Sequence, residues 1–158
     1  MMTTPSPRPA RRSLTATPVQ TAAVVAGVMF LLVGILGFIP GITSDLDHLA
    51  GAGHDSGAML LGVFQVSVLH NLVHVVFGIA GIAAARVHSA AGIYLLLGGL
   101  IYLGLWVFGL LIDKGGAINF IPLNSADDWL HFVLGVGMIG LGIVLTRGSH
   151  ADTPDTPL

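Results

Sequence analysis

Four apolar runs separated by short polar stretches set the pattern of this chain, at residues 19–39, 58–85, 90–112 and 129–146. About 20 apolar residues on a helix cross roughly 30 Å of hydrocarbon, so each run is long enough to span a membrane or nearly so. The pattern predicts an all-α integral membrane protein, a four-helix transmembrane bundle built from two helical hairpins. Local signals mark the ends. Thr17-Pro18 reads as an N-cap followed by a first-turn proline, and Pro40-Gly41 closes the first run. Arg86 ends the second, Ser89 can cap the third, Asp113-Lys114-Gly115-Gly116 breaks it, and Arg147 ends the fourth. Ser125 and Asp128 have the spacing of a capping box. A basic start before an apolar run also suits a signal peptide, but this run is long for one and G-F-I-P-G-I-T-S offers no A-x-A cleavage site. The Pro-, Ser- and Thr-rich residues 1–16 are expected to be a disordered basic arm, 17–147 the transmembrane domain, and 148–158 a disordered tail.

The second run is the unusual one. Ser67, His70, Asn71 and His74 lie in or near its first half, and on a helix they fall within roughly a 100° arc. Gly78 and Gly81 continue that stripe. In the fourth run Asp127, Asp128, His131, Gly135, Met138 and Gly142 form a similar stripe. Polar groups are costly against lipid, so both stripes should face protein. Packing the two helices together would gather Ser67, His70, Asn71, His74, Asp127, Asp128 and His131 into one polar pocket. The stretches from Asn71 and Asp128 also align: His74, Val76, Gly78 and Ile82 meet His131, Val133, Gly135 and Ile139. Such a match suits a parallel repeat of two hairpins. Counting back from Arg86 and Arg147, however, puts His70 and His131 at one depth and His74 a turn deeper.

Composition supports the membrane reading: 54% of residues are hydrophobic and only 9% charged, against about 25% charged in soluble domains. With no cysteine, disulfides, thiolate metal sites, iron–sulfur clusters and cysteine nucleophiles are excluded. A net charge of −2 gives no case for nucleic acid. Arg8, Arg11, Arg12, Arg86 and Arg147 flank one side of the predicted spans and Lys114 the other. The positive-inside rule then places both termini in the cytoplasm and the two acidic loops outside, in a cell inner (plasma) membrane. Trp129 and Tyr94 fit interfacial belts.

Several chemistries suit the polar residues. A buried His or Asn often does no more than bond a backbone carbonyl and fix helix register. His70 and His74, at i and i+4, together with His131 and an aspartate could instead hold zinc. One His from each of two helices could hold haem b, and a polar path could move protons or a solute. There is no Walker loop, G-x-S-x-G or H-E-x-x-H.

The blocks T-P-V-Q, G-F-I-P-G-I-T, L-H-N-L-V-H-V-V-F-G, Y-L-G-L-W-V-F-G-L-L-I-D and N-F-I-P-L-N-S-A-D-D-W-L-H, in that order, resemble the actinobacterial membrane-protein family catalogued as domain of unknown function 4383. The resemblance covers roughly residues 15–146. It implies four helices and an actinobacterial inner membrane, and supplies no activity. Its recurring blocks include His70, Asn71, His74, Asn119, Pro122, Asn124, Asp127 and His131, while Asp128 stands where many members carry Asn. The reading favoured is a non-enzymatic interaction or structural component of the cell envelope, whose partners are the lipid bilayer, envelope or membrane proteins, or a second copy. A metal- or haem-binding protein is the alternative, and a small transporter the third.

Overall fold

The computed structural model describes residues 13–147; residues 1–12 of the expected arm and the expected tail at 148–158 lie outside the described residues. Four helices dominate: α1 (Pro18–Leu36), α2 (Val68–Ala84), α3 (His88–Leu111) and α4 (Ser125–Arg147). Three of them, α1, α3 and α4, are long and apolar enough to cross a membrane. The fourth, α2, is shorter, because the front of its apolar run is not helical. Residues 58–67 instead carry β2 (Met59–Leu60) and β3 (Phe64–Gln65), which with β1 (Thr43–Ser44) form a small antiparallel sheet in the order β1-β2-β3. Thr43 pairs with Leu60, and Leu60 with Phe64. Apolar composition does not by itself separate strand from helix. Here the turn at Leu61 and Gly62, both at positive φ (55° and 70°), breaks any helix. Ser67 then starts α2 as its N-cap, its hydroxyl accepting from the His70 amide at 3.1 Å. Ser67 thus caps the helix that carries the polar stripe and is itself fully buried.

At the start of α1, Thr17 caps and Pro18 takes the first turn. The helix stops at Leu36, earlier than its apolar run, because Phe38 and Ile39 bond back three residues, to Ile35 and Leu36.

The helices are apolar on the outside, and α2 turns only small and polar residues inward. The buried positions of α2 are His70, Asn71, His74, Gly78 and Gly81, whereas Leu72, Val73, Val76 and Ile79 are each more than half exposed. A water-soluble helix shows the reverse. This inversion is what a surrounding lipid solvent demands.

Long contacts run between α1 and α2 and between α3 and α4, with smaller ones between the hairpins. Both hairpins use the same contacts. A Cβ on Gly27 would meet Gly78 O and Ile82, and one on Gly99 would meet Gly135 O and Ile139. A Cβ on Gly78 would meet Gly27 O and Leu31, and one on Gly135 would meet Gly99 O and Leu103. Near the other end, Gly37 lies against the Asn71 side chain and Gly109 against that of Asp128. The aligned segments of α2 and α4 thus sit in equivalent places, and α1 matches α3 in the same register. Phe30 and Tyr102 are equivalent in that register, and their rings stack at the centre, 5.3 Å apart and 4° from parallel. In this frame the counterpart of His131 is His74, not His70. The arginine count differs because α4 continues well past the point equivalent to the end of α2.

Candidate functional site: an imidazole layer beneath a hydrogen-bonded cap

The expected polar pocket is drawn out in depth into two layers, although His70, His74, Asp127 and His131 line one cavity in common. Direct packing of α2 on α4 is slight; the stacked rings of Phe30 and Tyr102 from α1 and α3 pack on His74 and His131. The deeper layer holds His70, His74, Tyr102 and His131. His74 Nδ1 lies 2.9 Å from the His70 carbonyl, and its Nε2 lies 3.3 Å from the Tyr102 hydroxyl. A carbonyl only accepts, so Nδ1 carries the proton and Nε2 accepts from Tyr102. His70 and His74 rings are 4.1 Å apart, and Tyr102 packs 5.1 Å from His131. His70 Nδ1 donates to Asn71 Oδ1 at 3.3 Å. His131, 3% exposed, has a buried Nδ1 with no hydrogen-bond partner among the described residues. Asn71 Nδ2 is in the same position.

This arrangement bears on the metal reading of His70, His74 and His131. Among the described residues no group of three or more His, Asp or Glu side chains is placed to hold a metal ion. Both ring nitrogens of His74 are engaged, so ligation there would first have to displace Tyr102 or the His70 carbonyl. A haem b bridging α2 and α4 would meet the central aromatic stack in the same way. His70 and His74 act here as hydrogen-bonding groups, and His131 packs against the Tyr102 ring.

The outer layer is built from Asp127, Asp128 and the loop before α4. Asn124, not Ser125, caps α4. Its Oδ1 accepts from the amides of Ala126 and Asp127, and Asp127 Oδ2 accepts from the Asn124 amide at 2.9 Å. That is a capping box one residue earlier than the Ser125/Asp128 spacing suggests. Asp127 also accepts from the Gln65 amide, tying α4 to β3. Asp128, 4% exposed, is thereby free to pair with Lys114, whose Nζ lies 2.6 and 2.8 Å from its two oxygens and 2.6 Å from Gly109 O. Asn119, fully buried, braces the intervening loop through Lys114 O, Leu123 O and the Leu123 amide.

The shifted capping box makes a discriminating expectation. Asn124→Ala should cost about 1–2 kcal/mol, losing the cap and the bond from Asn124 Nδ2 to Val63 O. Ser125→Ala should change little. Thermal unfolding in detergent would check this, and the reverse order would restore Ser125 as the cap.

Sequence reasoning missed Tyr102, the pairing of Lys114 with Asp128 and the structural role of Gln65, and gave Asn119 only as part of a recurring block. Tyr102 had a usable signal. Extending the repeat to the other two helices aligns Gly27 with Gly99 and Gly37 with Gly109, and it then pairs Tyr102 with Phe30. The Lys114–Asp128 pair had none, since loop closure decides it.

Apolar-faced helices around a polar interior define a helical membrane protein. Residues 20–144 match the family described as a domain of unknown function, DUF4383, and the chain belongs to that family. No curated protein and no solved structure matches it.

Proposed function

We propose that this chain is a four-span protein of the cell inner membrane, with both termini cytoplasmic, acting as a non-enzymatic interaction component of the envelope. Support for the fourth span comes from the way α2 lies along α1. At one end Gln20 Nε2 donates to Ala85 O at 2.7 Å; at the other, Asn71 packs on Gly37. Thus α2 is crossed by the same thickness of membrane as α1, although its 17 residues cover only about 26 Å.

The observation that carries the interaction reading is Leu61. It sits at the tip of the β2–β3 turn with φ 55° and is 64% exposed. A left-handed conformation costs a non-glycine residue roughly 1–2 kcal/mol, and here the side chain nonetheless stays mostly exposed. Strain at an exposed apolar residue points to display. The surface around it is fixed. Gly53 N donates to Phe120 O at 2.8 Å and Asn124 Nδ2 to Val63 O at 2.7 Å, so the two outer loops form one cap. Leu61, Val63, Ile118 and Phe120 are among its exposed apolar positions, and the partner is an envelope protein with a matching apolar patch.

The test is Leu61→Gly, read for both stability and association. It should raise stability by about 1 kcal/mol and abolish cross-linking to the partner in intact cells. Alanine at His70, His74 and His131 should leave cross-linking intact apart from any loss of folded protein. Unchanged cross-linking in Leu61→Gly would overturn the proposal.

A further inference from the structure

The imidazole layer lines two cavities, related by the repeat. One lies between α2 and α3, holds about 270 Å³ and is roofed by Phe120 and Ile121. Its counterpart lies between α4 and α1, roofed by β2, β3 and the turn joining them, and holds only about 100 Å³. Equivalent positions line them: Phe77 and Tyr102 in the first, Leu134 and Phe30 in the second. The fold can therefore nearly fill this cleft, and has done so on one side. The open side is the one that carries the Tyr102 hydroxyl.

We infer that the cavity between α2 and α3 binds the head group of an uncharged, membrane-dissolved ring compound bearing a carbonyl, the chemistry of an isoprenoid quinone, held by a hydrogen bond to His131. This rests on the membrane reading above. Four features fix the class. The buried Nδ1 of His131, on a side chain that lines the cavity, lacks a partner among the described residues, which in a native interior calls for explanation. The side chains of Tyr102 and Phe77 give the cavity an aromatic lining suited to a planar head. The nearby charges of Lys114 and Asp128 are spent on each other, so an ionic ligand would find no counter-charge. The flanking side chains Leu69, Val73 and Ile101 are exposed on the lipid-facing surface, so the ligand enters from the bilayer. Drug-sized pockets run from about 300 Å³ upward. A cavity of 270 Å³ thus suits a head group whose apolar tail leaves between α2 and α3. With its acceptor on the ligand, His131 Nδ1 would donate to the head-group carbonyl.

The probe is 2-methyl-1,4-naphthoquinone, titrated into the full chain in lipid nanodiscs and followed by tryptophan quenching against empty-cavity variants. Wild type should show saturable quenching at one probe per chain. His131→Phe keeps a ring and removes the donor, and should weaken binding about fivefold to tenfold. Val73→Phe narrows the mouth from an exposed position without adding a tryptophan and should abolish saturation, whereas Val25→Phe on the opposite groove should not. Helix content by circular dichroism shows that each variant is folded. If His131→Phe does not fold, Val73→Phe still decides. Non-saturable quenching in wild type, or saturation unchanged by Val73→Phe, would overturn the inference. Membrane embedding is read separately by resistance to carbonate extraction, so its failure is distinguishable from failure of the ligand site.

Discussion

Gly78→Ala is expected to separate α1 from α2 and to cost about 3 kcal/mol, the upper end for overpacking a close contact. The new methyl would stand 2.6 Å from Gly27 O and 2.7 Å from Leu31 N. Both are backbone atoms of a helix, so no side-chain rotation can relieve the clash, and the helix itself must move. The repeat supplies an internal comparison. At Gly135 the nearest atoms are the Leu103 side chain at 2.7 Å, with Gly99 O at 3.0 Å. A leucine can change rotamer, so Gly135→Ala should cost less. Gly137 and Gly140 have nothing within 4 Å of a built Cβ, and alanine there should be neutral or stabilising by up to about 1 kcal/mol. Denaturant unfolding in mixed micelles would rank the four. Equal costs at Gly78 and Gly140 would mean that the glycines do not set the helix separation.

Removing Lys114 should have an effect of similar size. Lys114→Ala leaves the Asp128 carboxylate buried with its cation gone, a change worth about 3–5 kcal/mol when both partners are fully buried. The Lys114 side chain is a third exposed, so roughly 2–3 kcal/mol is the expected loss. The first hairpin shows how to repair it. Where the second places Asp128 against Gly109, the first places Asn71 against Gly37 with no ion pair. The double variant Lys114→Met, Asp128→Asn imports that solution and should recover most of the loss. Thermal unfolding of the two variants beside wild type is the check. If the double variant were as unstable as Lys114→Ala, the ion pair would be contributing through its own attraction.

Much of the bundle was legible because lipid imposes a simple rule. Apolar runs of membrane length gave α1, α3 and α4 to within a few residues, and the inward stripes on α2 and α4 could be drawn from helical period alone. The front of the second run was not legible. Its apolar side chains suit strand and helix equally, and the decision rests on backbone conformation at Leu61 and Gly62. Which stripes meet was also out of reach, since the pairing of helices follows from glycine contacts spread over both hairpins. His70, Asn71, His74 and His131 were found as polar residues, but their roles depend on partners from elsewhere, Gly37 at the end of α1 for Asn71 and Tyr102 of α3 for His74 and His131. Asp127 and Asp128 look alike in sequence; one caps a helix and the other holds Lys114, and a one-residue shift of the cap decides which does which.

The absence of cysteine from the chain allows single-cysteine labelling, and position 89 is where it is most telling. Ser89 is exposed in the first turn of α3, just beyond the sharp turn from α2. In intact cells, a membrane-impermeant maleimide should label Asp47→Cys and Gly115→Cys but not Ser89→Cys. Permeabilisation should then expose Ser89→Cys and Ser13→Cys together. Labelling of Ser89→Cys from outside, alongside Asp47→Cys, would mean that α2 does not cross, and the four-span account would be wrong.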